Sequence, residues 1–397
     1  MNNTIPVSPK RSFLSILIFF LCCWYLLLCS VHYLRQRPLW LDEQSVFKSV
    51  STYQPADFFS KKLAVDQIFP RVYIFLIQKV SQPFDFNLLS VRFFSFISMI
   101  TAFFIWRKVA WRAKLDQWQY FTFVLSWAAS VVLIYYSAEL KQYSMDVLAA
   151  GIFFWFLQNQ KDLARNKTQY LIILTLLPLL GLFSYPAFLF FIFPLYNLLM
   201  EKTRNRTAWG LYCLAAAFTV GFVYFFDMRI TGADIHTQNF SDYSVSFVSV
   251  GEFFRSWGEG TMNLFSRWFA EQPRIFKKIA IDFLVFGMLY MFYGFFRDIR
   301  KNKDHLNSIE VLAFPIYVEL FILGCLGKYP FTVPRTSLFF CPAIFILTIK
   351  GIHELNRVHP YAYRIVHSLY LIFLAIVAVG ISRFIFTQDL NFSPKIW

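Results

Sequence analysis

The feature that most constrains this chain is a series of apolar stretches, most of them close to 20 residues long. A helix needs about 20 apolar residues to cross the hydrocarbon core of a bilayer. Eleven stretches approach or reach that length, near residues 13–34, 88–106, 119–137, 143–159, 169–184, 186–200, 208–226, 279–296, 309–327, 335–350 and 364–385. We therefore expect an all-α polytopic membrane protein with about eleven transmembrane helices.

Composition supports the same class. Hydrophobic residues make up 57% of the 397 residues, charged residues make up 15%, and the mean hydropathy is +0.49. A soluble domain of this length cannot bury so much apolar surface, so lipid is the expected surrounding. The net charge of +15 does not indicate nucleic-acid binding, because the Lys and Arg residues form short clusters between apolar stretches rather than one continuous basic face.

The basic clusters also predict the orientation of the chain. Cytoplasmic loops carry an excess of Lys and Arg. With a cytoplasmic N-terminus, one alternation of crossings places 19 of the 38 Lys and Arg residues on short inner segments. Two long segments, 35–87 and 227–278, then lie outside. The pattern is typical of a multi-pass protein of the plasma membrane, or of the inner membrane in a bacterium.

Both long outer segments contain candidate interfacial helices. In "IFPRVYIFLIQKVSQ", residues 68–82, the apolar part is too short to span, and Arg71, Gln78 and Gln82 share one helical face. This pattern favours an amphipathic helix along the membrane surface. Segment 227–278 carries Phe and Trp among Arg and Glu, which predicts further amphipathic helices at the headgroup level.

Several kinds of active site are absent from the sequence. There is no GxGxxG, P-loop, HExxH or GxSxG pattern, and the six cysteines lie in or beside apolar stretches without metal-ligand spacing. No inner segment is large enough to form a nucleotide-binding domain. If the chain is an enzyme, its reaction is therefore expected on the outer side, where nucleotide substrates are scarce. Activated groups on that side are usually carried on lipid phosphates.

The stretch "RQRPLWLDEQSVFKS", residues 35–49, places Asp42 and Glu43 side by side at the outer membrane boundary. Adjacent residues do not share a helix face, so two separate roles are favoured over one paired site. A carboxylate beside an apolar wall has a raised pKa and becomes a better general base. The alternative is that both acids solvate the loop or cap an interfacial helix.

Other charged and aromatic residues lie at outer helix ends. Each one alone is explained by snorkelling or by the aromatic belt of membrane proteins. Together they place cations and acids on one side of the membrane, where they suit a phosphate leaving group and an attacking hydroxyl. These residues are Arg92, Glu139, Lys141, Tyr143, Lys328 and Arg335. Glu319 lies in the middle of a span and is either functional or a protonated packing residue.

In this order the motifs resemble a known family. "PLWLDEQ", "FPRVYIFLIQKV", "NLLSVRFFSFISMI", "YYSAELKQYSMDVLAA" and "YPFTVPRTSLFFCPAIFIL" are similar to motifs of the membrane glycosyltransferases of the GT-C class. The resemblance is to the branch that contains protein O-mannosyltransferases and the lipid A aminoarabinose transferase. It is strongest over residues 13 to 185. The chain departs from the family at Lys141, where Arg is usual, and at Arg71, where the family has a second proline.

The resemblance implies a mechanism. Asp42 is expected to be the general base, and Glu43 to position the acceptor. Four cations are expected to hold the donor phosphate: Arg92, Lys141, Arg335 and Lys328. Glu139, Tyr143, Arg71 and Tyr73 are expected to support them. The donor is a polyprenyl-phosphate sugar, the acceptor is a hydroxyl of a glycolipid, glycan or protein, and transfer proceeds with inversion in one displacement.

The resemblance also implies a domain arrangement and the absence of a cofactor. Residues 1–226 are expected to form a GT-C-like transmembrane module, which includes the outer loop 35–87. Residues 227–278 are expected to form an outer loop with amphipathic helices. Residues 279–397 are expected to form the C-terminal transmembrane helices. The first outer loop contains no DxD motif, so no metal is expected. Two alternatives stay open: a flippase or transporter for lipid-linked sugars, and a polysaccharide ligase or polymerase.

Overall fold

The computed structural model describes residues 9–200, 206–232, 244–266, 274–301, 308–331 and 333–387. Every regular element among these residues is helical. The helices are α1 Pro9–Leu34, α2 Leu41–Thr52, α3 Arg71–Ser81, α4 Leu88–Arg112, α5 Gln117–Ala128, α6 Val131–Tyr135, α7 Tyr143–Leu163, α8 Lys167–Leu176, α9 Ile192–Met200, α10 Arg206–Val223, α11 Val250–Ser266, α12 Arg274–Lys301, α13 Ile309–Cys325, α14 Cys341–Val358 and α15 Pro360–Thr387.

The chain is a polytopic membrane protein. In the described residues, six helices are long and apolar enough to cross a bilayer, or seven if the pair Gln117–Ala128 and Val131–Ala138 forms one span bent by 57°. Two shorter apolar helices cover Lys167–Leu182 and Tyr185–Leu199. The all-α membrane architecture is confirmed, whereas the count of eleven crossings stays a prediction.

The second of the two predicted outer segments, residues 227–278, is shorter at both ends than the sequence predicts. The helix that begins at Arg206 continues through a π turn at Tyr224–Met228 and ends at Thr231. Helix α12 begins at Arg274, ahead of the predicted residue 279. Between them, α11 packs Phe253 and Trp257 against Phe321 of α13. Residues 233–243 and 267–273, which include Trp268 and Phe269, lie outside the described residues.

Residues 35–87, the predicted first outer loop, fold into a compact unit with an apolar core of its own. The core residues come from α2, α3, the short 3-10 turns between them, the start of α4 and Leu140; they are Val46, Val50, Phe58, Leu63, Phe69, Tyr73, Ile74, Ile77, Val91 and Leu140. Burial of so many apolar side chains fixes the path of the loop. The segment that carries Asp42 and Glu43 is thus held rigidly against α4.

Of the three polar residues predicted to share one face of α3, Arg71 and Gln78 are buried, whereas Gln82 is exposed. Gln78 is buried and donates from Nε2 to the carbonyl oxygens of Val50 and Tyr53 at 3.0 and 2.6 Å. The sequence predicts α3 as a surface helix, for which a solvated polar face is usual. Here Gln78 instead satisfies backbone carbonyls where α2 ends.

Helices α4 and α7 pack closely along each other and position two parts of the candidate site. Trp106 of α4 donates from its indole Nε1 to the carbonyl of Val147 at 2.9 Å. A side chain at Gly151 would place its Cβ 2.8 Å from the same nitrogen, so glycine is required for this close approach. The pairing holds Arg92 near the start of α4 beside the turn that precedes α7.

Candidate active site

The candidate site begins at the N-terminus of α2. Asp42 and Glu43 lie in its first turn, where negative charge interacts favourably with the helix dipole. The two side chains leave the helix in different directions. The side chain of Glu43 is 0% exposed, whereas that of Asp42 is 25% exposed. Their surroundings therefore differ, as the sequence predicts for adjacent acids.

Glu43 is the centre of a buried ion-pair network. Arg92 donates to it from Nε at 3.0 Å and from Nη2 at 2.9 Å, and Arg37 donates from Nη1 at 2.8 Å. The backbone N–H of Leu140 donates to Oε1 at 2.6 Å. A buried carboxylate tolerates its loss of water only with such partners. Glu43 thus joins the first outer loop, α4 and the turn before α7.

Arg92 has its donors directed into the same network. It is 1% exposed, and its Nη1 donates to the carbonyl of Arg37 at 2.7 Å. Its contacts favour a role in holding Glu43 rather than a lipid phosphate. Likewise, the contacts of Glu43 favour positioning of α2 rather than contact with an acceptor.

Asp42 lies between two cations. Arg335 donates from Nη1 to Oδ2 of Asp42 at 3.1 Å, and the Nζ atom of Lys141 lies 4.0 Å from the same oxygen. Oδ1 has no hydrogen-bond donor among the described residues. The segment that carries Arg335 is almost 300 positions away in the sequence, and the 3-10 turn Pro334–Phe340 brings it to this place.

Lys141 is buried in a polar and aromatic environment. Its Nζ donates to Oε1 of Gln67 at 2.7 Å and lies 6.0 Å from the ring centre of Phe69. Burial lowers the pKa of the Lys141 amine to about 8; Asp42 and Glu139 oppose this decrease, and the charge of Arg335 adds to it. The amine can therefore lose its proton at mildly alkaline pH.

Glu139 is a second buried acid beside this cluster. Its Oε1 accepts the indole N–H of Trp40 at 3.0 Å, and its Oε2 has no hydrogen-bond partner among the described residues. Burial and the charge of Glu43 raise the pKa of Glu139 to about 7, against the opposing effect of the nearby cations. Glu139 can therefore carry a proton near neutral pH.

The whole cluster has an excess of positive charge. It contains four cations, Arg37, Arg92, Lys141 and Arg335, and three acids, Asp42, Glu43 and Glu139. The excess increases when Glu139 is protonated. A cluster with this balance can accept a further anion without an uncompensated negative charge.

Two tyrosines support the cluster indirectly. The hydroxyl of Tyr73 donates to Ser95 Oγ at 3.4 Å, and the Ser95 hydroxyl donates to the carbonyl of Lys141 at 3.0 Å. Tyr143 packs edge-on against Tyr136 with ring centres 4.9 Å apart. These contacts fix the backbone that carries Lys141.

Two other candidate residues, Arg71 and Lys328, make no ion pair or hydrogen bond with Asp42. Arg71 donates to Oδ1 of Asp227 and to the hydroxyl of Thr231, each at 3.1 Å, and so attaches the first outer loop to the end of the helix that begins at Arg206. Lys328 is exposed, and its side chain has no ion pair or hydrogen bond with the described residues. Glu319 lies within α13, and its Oε2 is buried without a partner in the described part of the chain.

Sequence reasoning missed three contributors to the site. Trp40 lies below the guanidinium of Arg335, which is 5.8 Å from its ring centre, and also binds Glu139. Its position two residues before Asp42 is a usable signal. Arg37 lies in the same short motif. Gln67 has no distinguishing sequence pattern, because only the fold brings it to Lys141.

A group of buried polar atoms lies near the first turns of α7. Among the described residues, no hydrogen bond reaches Oε1 of Gln142 or the hydroxyl of Tyr185, whereas the Ser184 hydroxyl interacts with the Asp146 carboxyl. Gln142 and Asp146 are one helical turn apart, and Ser184 faces Asp146. Buried polar groups normally have partners, so this group is suited to bind the hydroxyls of a ligand.

No cluster of His, Cys, Asp and Glu suitable for a metal ion occurs in the part of the chain that the structure describes. The expected independence from metal stays a prediction, since the structure provides no test of it.

Comparison with known proteins gives one informative match. The structure of ArnT from Cupriavidus metallidurans in the apo state matches with a TM-score of 0.50 and 12% sequence identity, over 97% of this chain and 67% of that chain. ArnT is a lipid A aminoarabinose transferase with the GT-C fold. No protein-family model and no curated protein matches the sequence. The chain therefore has the GT-C fold that the sequence motifs predict.

Proposed function

We propose that this chain is a glycosyltransferase that moves a sugar from a polyprenyl phosphate to a hydroxyl acceptor, with Asp42 as the general base. The observation that carries the proposal is the position of the Asp42 carboxylate. It is partly exposed, one of its oxygens has no donor among the described residues, and two cations flank the other oxygen. The GT-C fold is consistent with this chemistry.

In the proposed step, the acceptor hydroxyl donates its proton to Oδ1 of Asp42. The acceptor oxygen forms a bond to the anomeric carbon while the bond from that carbon to the phosphate oxygen breaks. The bonding electrons leave with polyprenyl phosphate. A single displacement from the opposite face inverts the anomeric configuration.

Arg335 and Lys141 are proposed to bind the donor phosphate. Their distances of 3.1 and 4.0 Å to Asp42 Oδ2 place both cations beside the base. A phosphate is a competing anion for the same donors, and an Arg guanidinium can bind two of its oxygens. Positive charge at this place stabilises the leaving group as the bond breaks.

Glu43 and Arg92 are proposed to act on Asp42 through the backbone. Their two-donor pairing fixes the first turn of α2, and thereby the direction of the neighbouring carboxylate. This role differs from the acceptor and phosphate contacts that the family resemblance implies. The reason is burial: neither side chain has a free polar surface to offer a substrate.

The buried polar atoms of Gln142, Asp146, Ser184 and Tyr185 are proposed to bind sugar hydroxyls. Asp146 is four residues after Gln142, on the helix whose preceding turn carries Lys141. A sugar whose phosphate is held at Lys141 is therefore within reach of this group. The outer face of a plasma or bacterial inner membrane is the proposed place of reaction, in agreement with the distribution of basic residues.

A reconstituted transfer assay tests the proposal. The purified chain in proteoliposomes is supplied with a panel of radiolabelled polyprenyl-phosphate sugars and with hydroxyl acceptors of the glycolipid, glycan and protein classes. We expect label in a new glycosidic product with the wild type and none with Asp42→Asn. Passage of labelled lipid between leaflets without a new product would support the transporter alternative and contradict transfer. Repeated extension of a glycan chain would support the polymerase alternative.

A further inference from the structure

A pocket with a mainly apolar lining and several cations lies at the opposite end of α4 from Arg92. It has a volume of about 480 Å³ and is lined by residues of α4, α5 and α7, among them Arg107, Lys108 and Trp111. Arg92 and Arg107 are 15 residues apart on one helix, which corresponds to roughly 22 Å along its axis. The pocket therefore faces the other leaflet and is separate from the Asp42 cluster.

The charge in this pocket is mainly uncompensated. Arg112 pairs with Asp162 at 2.9 Å, and both side chains are about half exposed. Arg107 donates from Nε to the hydroxyl of Tyr120 at 2.8 Å, a contact that orients the guanidinium without neutralising it. Lys108 is exposed and has no ion pair or hydrogen bond with the described residues. At least two positive charges thus remain for an anion.

Aromatic rings surround Arg107. The Arg107 guanidinium lies 5.7 Å from the ring centre of Phe103 and 5.9 Å from those of Phe104 and Tyr120. Trp111 and Trp155 also line the pocket. Trp and Tyr concentrate at the level of lipid headgroups, where one part of the ring is apolar and the other is hydrated. The pocket therefore lies at the depth of a phosphate group in the bilayer.

An apolar surface leads from the pocket along α4. Phe93, Ile97 and Phe104 are each between 41 and 43% exposed, and Trp111 is 73% exposed. These positions recur at intervals of four and seven residues and so lie on one side of the helix. Acyl chains can lie along this surface while their headgroup occupies the pocket, an arrangement that free phosphate does not use.

We propose that the pocket binds the headgroup phosphate of an anionic glycerophospholipid in the leaflet opposite the Asp42 cluster. Arg107 and Lys108 bind the phosphate, Trp111 and Tyr120 cover the glycerol, and the exposed side of α4 contacts the acyl chains. The volume falls in the range of small-ligand sites. The site does not depend on the proposed sugar transfer.

Native mass spectrometry of the full chain tests this proposal. The protein is released from micelles that contain equal amounts of phosphatidylglycerol and phosphatidylcholine, and the retained lipid is counted. We expect preferential retention of one phosphatidylglycerol. Removal of one charge near a membrane surface weakens the binding of anionic lipid by about fivefold, so Lys108→Gln and Arg107→Gln should each reduce retention by about that factor.

Lys167→Gln is the matched control. Lys167 is an exposed lysine on a segment that is expected on the same side of the membrane as Lys108, and it does not line the pocket. Arg107→Gln disturbs the contact with Tyr120, but Lys108 makes no such contact, so Lys108→Gln tests binding without loss of packing. Equal retention of both lipids, or equal losses from Lys108→Gln and Lys167→Gln, would overturn the proposal. Displacement of the lipid by inorganic phosphate at millimolar concentration would identify a free-phosphate site instead.

Discussion

Arg92 donates to both oxygens of Glu43, at 3.0 and 2.9 Å, from a position 49 residues further along the chain. Both side chains are buried almost completely. The pair is therefore a fixed connection between the first outer loop and α4. Because Asp42 directly precedes Glu43, the same connection sets the direction of the proposed base.

Glu43→Gln is expected to destabilise the protein strongly. The substitution leaves the charges of Arg37 and Arg92 buried without a counter-charge, which typically costs about 3–5 kcal/mol. The free energy of unfolding in detergent measures this effect, with Gln44→Ala as a control at the exposed neighbouring position. A Glu43→Gln variant as stable as the control would contradict the structural role of the pair.

The two cations beside Asp42 are expected to act on the donor phosphate. Arg335→Met and Lys141→Met should each lower the transfer rate by about 10²–10³-fold, the usual effect of removing a group that stabilises developing charge. Lys328→Met is the matched control, because Lys328 is exposed and lies in the loop before Arg335. Steady-state transfer rates compare the three. A loss with Lys328→Met equal to that of the other two would indicate a general effect of outer charge.

Transfer is expected to decline above about pH 8. Burial lowers the pKa of Lys141 to about 8, so the amine is charged below that pH and loses its proton as the pH rises through it. The charges of Asp42, Glu139 and Glu43 oppose the effect of burial on this pKa, and the charge of Arg335 adds to it. In Lys141→Arg the cation stays charged, so the alkaline decline should move to higher pH. An unchanged decline in that variant would assign it to another group.

The Asp146→Asn variant tests the proposed sugar contacts. The substitution keeps the shape of the side chain but replaces one carboxyl oxygen with an amide NH2 group, which donates hydrogen bonds and cannot accept them. We expect a KM for the sugar-bearing donor at least tenfold higher, with unchanged binding of polyprenyl phosphate that carries no sugar. Equal weakening of both ligands would show that Asp146 acts on the phosphate or on the fold.

The sequence predicts the membrane class and the set of outer charged residues, because apolar length and charge position are local properties. It does not predict which of these residues touch. Arg92 and Arg335 look alike as cations at outer helix ends, yet one is enclosed with Glu43 and the other meets Asp42. Burial decides between the two roles, and burial depends on how distant segments pack.

The interior of the first outer loop also shows that the sequence predicts a helix without predicting its contacts. The helical periodicity of residues 68–82 is visible in the sequence, and α3 forms there. Periodicity alone does not tell whether the polar side of a short helix meets water or protein. Arg71 and Gln78 meet backbone carbonyls and Asp227, partners that come from other parts of the chain.

The most direct test of the account is a single-turnover transfer measurement with the Asp42→Asn variant in proteoliposomes. Asp85→Asn is its control, since Asp85 is an exposed aspartate of the same outer loop with a left-handed backbone that Asn also tolerates. The account predicts a rate at least about 10²-fold below wild type for Asp42→Asn, with normal folding and donor binding, and a wild-type rate for the control. An Asp42→Asn rate above about a tenth of the wild-type rate would contradict the role of Asp42 as the base.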